Sequence, residues 1–183
     1  LFCGFTITVL LFATTVHYEQ ANFLIASSIF LFALGIKDDI YGVSPSTKFG
    51  LQILVSLILV TLGDFKLSSL YGVFNIWDVD PIAGGIFSIA LIIFINNAFN
   101  LIDGVDGLAG TVGAVVSFCF GVFFALGNDM AYAFIAFSML GAILGFLVFN
   151  YPPAKIFMGD TGSLIIGLVS VVLAIKFIEI NKL

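Results

Sequence analysis

Seven long stretches without a charged side chain constrain the fold of this sequence more than any other feature. A helix needs about 20 predominantly apolar residues to cross a bilayer. Backbone polar groups in lipid must be satisfied within the segment, so stretches of this kind cross as helices. The sequence therefore predicts an all-α, polytopic transmembrane helical bundle of about seven spans, at residues 1–18, 20–36, 49–63, 81–102, 107–128, 130–154 and 161–175.

The composition supports a membrane location and excludes several other classes of protein. Hydrophobic residues make up 61% of the chain and charged residues 9%, whereas a soluble domain carries about 25% charged residues. This excludes a soluble globular enzyme. The net charge is −5 and the chain contains no arginine, so no basic face is available for nucleic acid.

Alternation of the predicted spans places the acidic loops together. The loops at residues 37–48, 97–106 and 150–163 fall on one side of the membrane, and His17 falls on the other, where we interpret it as an interfacial residue. The lysines divide equally, so the positive-inside rule selects no orientation. Five carboxylates are therefore predicted to converge on one membrane face: Asp38, Asp39, Asp103, Asp106 and Asp160.

The first motif is the pair Asp38-Asp39, which follows Lys37 at the end of a span. Adjacent carboxylates repel, and this repulsion raises the pKa of one of them unless a cation lies between. A divalent metal or a phosphate–metal complex would remove the conflict. The alternative is a solvated helix end without a ligand.

The second motif, residues 97–110, reads NAFNLIDGVDGLAG and carries a polar residue at every third position from Asn97. Three-residue steps on an α-helix each fall about 60° short of a full turn, so a 3₁₀ stretch would align these residues better. Gly104 and Gly107 permit a break in the helix. Two amides and two carboxylates suit a sugar, a nucleoside or a hydrated cation. The alternatives are a polar seam between helices, a turn-rich loop and, more weakly, a partial calcium loop.

The third motif, residues 150–163, reads NYPPAKIFMGDTGS and leads into the last span. Its two prolines end the preceding helix. A glycine-rich entry to a helix can bind phosphate through free backbone N–H groups, and Asp160 there fits a metal-bridged phosphate. Phe157 could offer an aromatic face to a base. The alternative is simple N-capping of the span by Asp160 or Thr161.

The three motifs together resemble the polyprenyl-phosphate N-acetylhexosamine-1-phosphate transferases, glycosyl transferase family 4. The Leu-Ile pair before Asp103 is closer to the undecaprenyl-phosphate GlcNAc-1-phosphate branch than to the phospho-MurNAc-pentapeptide translocases, which usually have Thr before that Asp. The resemblance implies transfer of GlcNAc-1-phosphate from a UDP-sugar to a polyprenyl phosphate with release of UMP, as the first membrane step of cell-envelope glycan synthesis. It also implies Mg²⁺, with Mn²⁺ as a substitute, and an active face on the cytoplasmic side of the bacterial inner membrane. A homodimer is compatible with it.

The resemblance also assigns roles to individual residues. The implied catalytic residues are Asp38, Asp39, Asp103 and Asp106, and the implied metal ligands are Asp160 and Asp39. The implied substrate-binding residues are Lys48, Asn97, Asn100, Asp103, Asp106, Phe157, Gly159 and Ser163. Family members carry further spans before this region and a histidine-rich loop after it, so residues 1–183 are expected to form a single integral-membrane catalytic domain truncated at both ends.

A transporter or channel that uses carboxylates for proton or cation passage is the alternative function. Such carboxylates usually lie at the membrane midplane, whereas the five here lie at span ends. An intramembrane aspartyl protease needs two aspartates within facing spans. A CDP-alcohol phosphotransferase needs an Ala-Arg pair after its Asp-Gly, and this chain has no arginine.

Overall fold

The computed structural model describes residues 1–12, 19–70, 72–75 and 77–180. His17 lies outside these residues, so its predicted interfacial position stays a prediction. The described residues form seven α-helices and one short 3₁₀ turn, Val73–Asn75. The helices are α1 (Phe2–Phe12), α2 (Glu19–Tyr41), α3 (Pro45–Thr61), α4 (Pro81–Ile102), α5 (Leu108–Leu126), α6 (Met130–Asn150) and α7 (Gly159–Ile180).

The lengths and compositions of these helices confirm an all-α, multi-pass membrane bundle. Four of them, α4 to α7, are long and apolar enough to cross a bilayer. The apolar helices α1 and α3 are shorter, with 11 and 17 residues, and α2 has 23 residues with acidic side chains at both ends. Helix α4 coincides with the predicted span at residues 81–102.

Capping residues explain where several helices begin. Ser44 accepts a hydrogen bond from the Thr47 N–H, and Pro45 then opens α3. Asp80 caps α4 in the same manner, with Pro81 at the first helical position. Proline suits this position because its missing N–H would have no intrahelical partner there.

Helix α7 is the centre of the bundle. It packs against α2, α4, α5 and α6, and nearly every residue from Gly162 to Val172 is buried. Helix α3 packs on α2 and α4, and α1 packs on α6. The N-terminus of α7 therefore lies among the ends of the helices that carry the other motifs.

The C-terminal end of α7 meets a different set of residues at the opposite end of the bundle. Glu179 accepts hydrogen bonds from the backbone N–H and the hydroxyl of Ser68, at 2.8 and 2.7 Å. Nearby, the Tyr132 hydroxyl donates to Gln20 Oε1 at 2.6 Å. The loop between α3 and α4 is thus fastened at the end away from the motifs.

Candidate active site

The acidic pair lies in the last turns of α2, which continues to Tyr41 rather than ending at the predicted boundary. Asp39 Oδ1 accepts the Asp160 N–H at 2.9 Å, and Asp39 Oδ2 accepts the Thr161 N–H at 3.1 Å and the Thr161 hydroxyl at 2.5 Å. A carboxylate at a helix N-terminus is stabilised by free N–H groups and by the helix dipole. The capping group of α7 is therefore Asp39, supplied by another helix, and not Asp160 or Thr161.

Lys48 connects the first motif to the third. Its Nζ donates to Asp38 Oδ2 at 3.1 Å and also forms a hydrogen-bonded ion pair with Asp160. The side chains of Lys48 and Asp38 are 18% exposed and that of Asp160 is 19% exposed, so solvent screens these pairs less than surface pairs. One ammonium group faces two carboxylates, so the cluster retains excess negative charge.

Helix α4 presents its two motif asparagines to different neighbours. Asn97 Nδ2 donates to Gln52 Oε1 on α3 at 2.9 Å. Asn100 Nδ2 donates to Asp160 and, at 3.1 Å, to Ser163 Oγ on α7. The tighter 3₁₀ winding that would align the polar residues does not occur between Asn97 and Ile102, where α4 stays α-helical. The rotation between positions three apart directs one amide to α3 and the other to α7.

Asp103 forms the C-terminal cap of α4, just outside the helix. Burial raises the pKa of its carboxyl to about 6, and the negative charges of Asp39 and Asp106 act in the same direction. A hydrogen bond from the Gly159 backbone partly opposes this rise. The second motif therefore lies close enough to the first and third to feel their charge.

Asn150, at the end of α6, fastens the two motif loops to each other. Its Oδ1 accepts the Gly107 N–H at 3.0 Å, and its Nδ2 donates to the Ile156 carbonyl oxygen at 3.0 Å. The side chain is buried. The predicted site residues do not include Asn150, although the sequence shows it as a polar residue near the predicted end of a span, two positions before Pro152.

Two glycines permit the close approach of α2 and α7. Gly159 has a φ of 64°, and a Cβ there would lie 2.7 Å from Asp39 Oδ2. Gly35 was not predicted as a site residue, yet a Cβ there would lie 2.4 Å from the Thr161 Cα. Small residues in apolar helices commonly mark such contacts, so the sequence did contain a signal for Gly35.

The structure brings most of the predicted residues into one cluster. Hydrogen bonds and ion pairs join Asp38, Asp39, Lys48, Asn100, Asp160 and Ser163. Gly159 lies against the Asp39 carboxylate, and Asp103 accepts a hydrogen bond from the Gly159 backbone and is affected by the charge of Asp39. Asn97 opens instead onto a cavity of about 620 Å³, which Asp38, Lys48 and Gln52 also line. Asp106 is exposed, and Phe157 is 80% exposed.

The carboxylate oxygens of the cluster are potential ligands for a magnesium ion. Across residues 1–12, 19–70, 72–75 and 77–180, no three acidic, histidine or cysteine side chains are grouped so that they could hold a metal by themselves. Mg²⁺ usually takes only one or two carboxylates and completes its shell with waters and substrate phosphates. The carboxylates here are hard oxygen ligands, and their excess negative charge suits a cation. The residues therefore fit a magnesium ion shared with a phosphate-bearing substrate.

The chain is similar to known proteins over most of its length. The family model described as glycosyl transferase family 4 matches residues 21–178. The chain is 40% identical, over 150 residues, to a decaprenyl-phosphate N-acetylglucosaminephosphotransferase of Mycolicibacterium smegmatis, covering 75% of this chain and 36% of that protein. It is 36% identical, over 142 residues, to a probable undecaprenyl-phosphate N-acetylglucosaminyl 1-phosphate transferase of Bacillus subtilis, covering 75% and 38%.

The chain is about equally similar to a relative that is named for a different activity. The chain is 39% identical, over 159 residues, to a phospho-N-acetylmuramoyl-pentapeptide-transferase of Prochlorococcus marinus, covering 79% of this chain and 44% of that protein. The chain thus spans about two fifths of the length of the curated relatives it matches. Because the family model matches most of its length, the chain belongs to glycosyl transferase family 4.

Proposed function

We propose that this chain is part of a transferase that moves GlcNAc-1-phosphate from UDP-GlcNAc to a polyprenyl phosphate and releases UMP. One observation carries the proposal: Lys48 lies between Asp38 and Asp160, where three motifs meet at one end of a membrane bundle. The names of two relatives, which specify polyprenyl-phosphate N-acetylglucosamine phosphotransfer, support the substrate class.

The reaction exchanges one phosphoanhydride bond for another. An oxygen of the lipid phosphate attacks the sugar-bearing phosphorus of UDP-GlcNAc, and the bond from that phosphorus to the UMP oxygen breaks. Both substrates are anions, so positioned positive charge lowers the barrier. Lys48 supplies one such charge, and because Asp38 and Asp160 together outweigh it, a bound cation would have to supply the rest. The acceptor phosphate is already largely ionised near neutral pH, so little is required of a general base.

Magnesium is the proposed cofactor, with Asp160 and Asp39 as its protein ligands. When bound, it would neutralise phosphate charge in the transition state. Asp39 already accepts hydrogen bonds from α7, but an ionised carboxylate has about four lone-pair sites and retains capacity for a metal. Phe157 is exposed beside this end of α7 and is proposed to stack on the uracil ring.

The proposal is tested by UMP release from UDP-GlcNAc by the full-length protein in membranes. We expect release to require both Mg²⁺ and a polyprenyl phosphate, and to fall at least about 100-fold in Asp160→Asn. Asp129→Asn is the matched control, since Asp129 caps α6 at the opposite end and asparagine also caps helices. If Asp39→Asn and Asp160→Asn both retained full activity at saturating Mg²⁺, the metal site would be wrong.

A second candidate donor is UDP-MurNAc-pentapeptide, because one relative is named for phospho-N-acetylmuramoyl-pentapeptide transfer. The Leu-Ile pair before Asp103 favours GlcNAc. Supplying the two nucleotide sugars in parallel to the same membranes separates these candidates. Transport by the carboxylate cluster is disfavoured because the clustered acids gather at one end of the helices; a flux driven by membrane potential without UMP release would favour it.

The protein is a multi-pass membrane protein, and we infer that it resides in the bacterial inner membrane with the motif end facing the cytoplasm. UDP-sugars are made in the cytoplasm, which supports this orientation. The homodimer also remains a prediction. Cross-linking in native membranes, followed by measurement of the cross-linked mass, tests it.

A further inference from the structure

The cavity between α2, α3 and α4 contains a polar residue outside the three motifs, Gln52. Its side chain is 1% exposed, and it lines the cavity together with Asp38, Lys48 and Asn97. Gln52 Oε1 accepts a hydrogen bond from Asn97 Nδ2, while Gln52 Nε2 has no partner among the described residues. A buried amide within an apolar helix is costly, which points to a role in the site.

The hydrogen bonds of Asn97 determine what its side chain offers to a ligand. An amide nitrogen carries two hydrogens. One is donated to Gln52 Oε1 at 2.9 Å, and the other to the Ile93 carbonyl oxygen at 2.8 Å. Asn97 is exposed and lines the cavity, so the group left for a ligand is its carbonyl oxygen, Oδ1. This oxygen accepts hydrogen bonds and cannot donate them.

We propose that Gln52 is a positioning residue that fixes the Asn97 amide so that Oδ1 accepts a hydrogen bond from a hydroxyl or amide N–H of the donor sugar. The inference rests on the proposed function and identifies the part of the substrate that this cavity recognises. An ionised phosphate has no hydrogen to give to Oδ1, whereas a hexosamine has several. The Lys48 ammonium group, in the same cavity, provides positive charge for the phosphate attached to that sugar.

A carbonyl oxygen can also bind a hard cation, and a test must separate the two roles. Gln52→Leu removes the acceptor for the Asn97 N–H and frees the amide to turn. Gln52→Glu keeps an acceptor for the Asn97 N–H at the same place but adds a negative charge, so its informative readout is the ratio of UDP-GlcNAc affinity to UDP affinity. Ser56→Ala is the control, because Ser56 is buried one turn further along α3 and, among the described residues, its hydroxyl donates only to the Gln52 backbone oxygen.

Binding of UDP-GlcNAc and of UDP to the purified full-length protein, measured by calorimetry, gives a readout that does not need turnover. We expect Gln52→Leu to weaken UDP-GlcNAc binding about tenfold, the scale of one lost hydrogen bond, and to leave UDP binding unchanged. Gln52→Glu adds a negative charge that repels the diphosphate of both nucleotides, so it should weaken UDP and UDP-GlcNAc binding by the same factor and keep the wild-type ratio of the two affinities. Ser56→Ala should bind both nucleotides as the wild type does. In turnover, the KM for UDP-GlcNAc should rise, with unchanged Mg²⁺ half-saturation and unchanged KM for polyprenyl phosphate.

Several results would overturn the inference. Equal weakening of UDP and UDP-GlcNAc would show that the sugar is not involved. If only the Mg²⁺ concentration for half-maximal activity changed, Asn97 Oδ1 would be assigned to the metal. If the KM for the polyprenyl phosphate changed, the cavity would be assigned to that acceptor lipid. A Gln52→Glu protein in which UDP-GlcNAc binding weakens more than UDP binding would also contradict it. An inactive wild type that binds UDP-GlcNAc in the predicted pattern would instead refute the proposed function alone.

Discussion

Gly159 shows how strongly a single residue determines the geometry of the cluster. Its positive φ is a conformation that residues with a side chain adopt at a cost of about 1–2 kcal/mol. A Cβ would also press on the Asp39 carboxylate, which would have to move away from the N-terminus of α7. The turn, the cap and the ion pairs around Asp160 therefore depend on one another.

We predict that Gly159→Ala lowers both the thermal unfolding midpoint and the transfer rate, the latter by about 100-fold, since a displacement near 1 Å in an active site can cost that much. Differential scanning fluorimetry and UMP release measure the two effects. Gly141→Ala is the control, because a Cβ at Gly141 has open space around it. Equal behaviour of the two variants would contradict the role given to Gly159.

The raised pKa of Asp103 predicts a pH dependence of stability. Since its folded value, about 6, exceeds the ordinary value of 3.8, folding favours the protonated carboxyl. Its stabilising contribution is complete below pH 3.8 and is lost as the pH rises through about 6. The unfolding midpoint of the wild type should therefore fall relative to that of Asp103→Asn between these pH values and run parallel above them. A constant difference across this range would show that the carboxyl is not buried as described.

At the scale of elements, the contact between α2 and α7 sets the position of the site. Gly35→Ala would place a methyl group against the Thr161 backbone, which cannot rotate away as a side chain can. We expect a loss of about 1–3 kcal/mol in unfolding free energy, the usual cost of overpacking, and weaker transfer because Asp39 no longer reaches α7. Denaturant unfolding and UMP release report the two effects.

Gly50→Ala is the matched control for Gly35→Ala, because a Cβ at Gly50 on α3 meets nothing within 4 Å. Alanine also favours helices by up to about 1 kcal/mol over glycine, so this control should be neutral or stabilising. A Gly35→Ala protein as stable and active as Gly50→Ala would mean that α2 and α7 do not approach as closely as described.

The sequence predicted the bounds of the helices well where local signals such as proline are strong. It predicted them less well where contacts with neighbouring helices determine where a helix ends. Pro81 and the apolar run behind it define α4, and its predicted bounds are confirmed. Helix α2 continues past the predicted boundary, and the side chains of Asp38 and Asp39 in its last turns find partners on α3 and α7. The length of a stretch without charged residues does not reveal such partners.

At the scale of the whole molecule, the alternation of spans predicted that the three motifs would meet, and the hydrogen bonds that join Asp160 to Asp39 and to Asn100 confirm this. The individual partnerships could not be predicted. Lys48 reaches Asp160 from another helix, and Asp39 caps α7 across 121 positions of chain. Such contacts depend on helix packing, which spacing within one motif does not encode. Gln52 was visible only as one polar residue in an apolar run.

The central claim is that three separated loops form one site on one membrane face, and sided thiol labelling tests it most directly. Cys3 and Cys119 are exposed and are first replaced by serine. Single cysteines then go to exposed positions at the two ends of the bundle, namely Tyr41, Val105, Phe157 and Trp77. With a membrane-impermeant maleimide on sealed vesicles of known orientation, positions 41, 105 and 157 should react from the same side, and position 77 only from the other. Labelling of positions 41 and 157 from opposite sides would contradict the account.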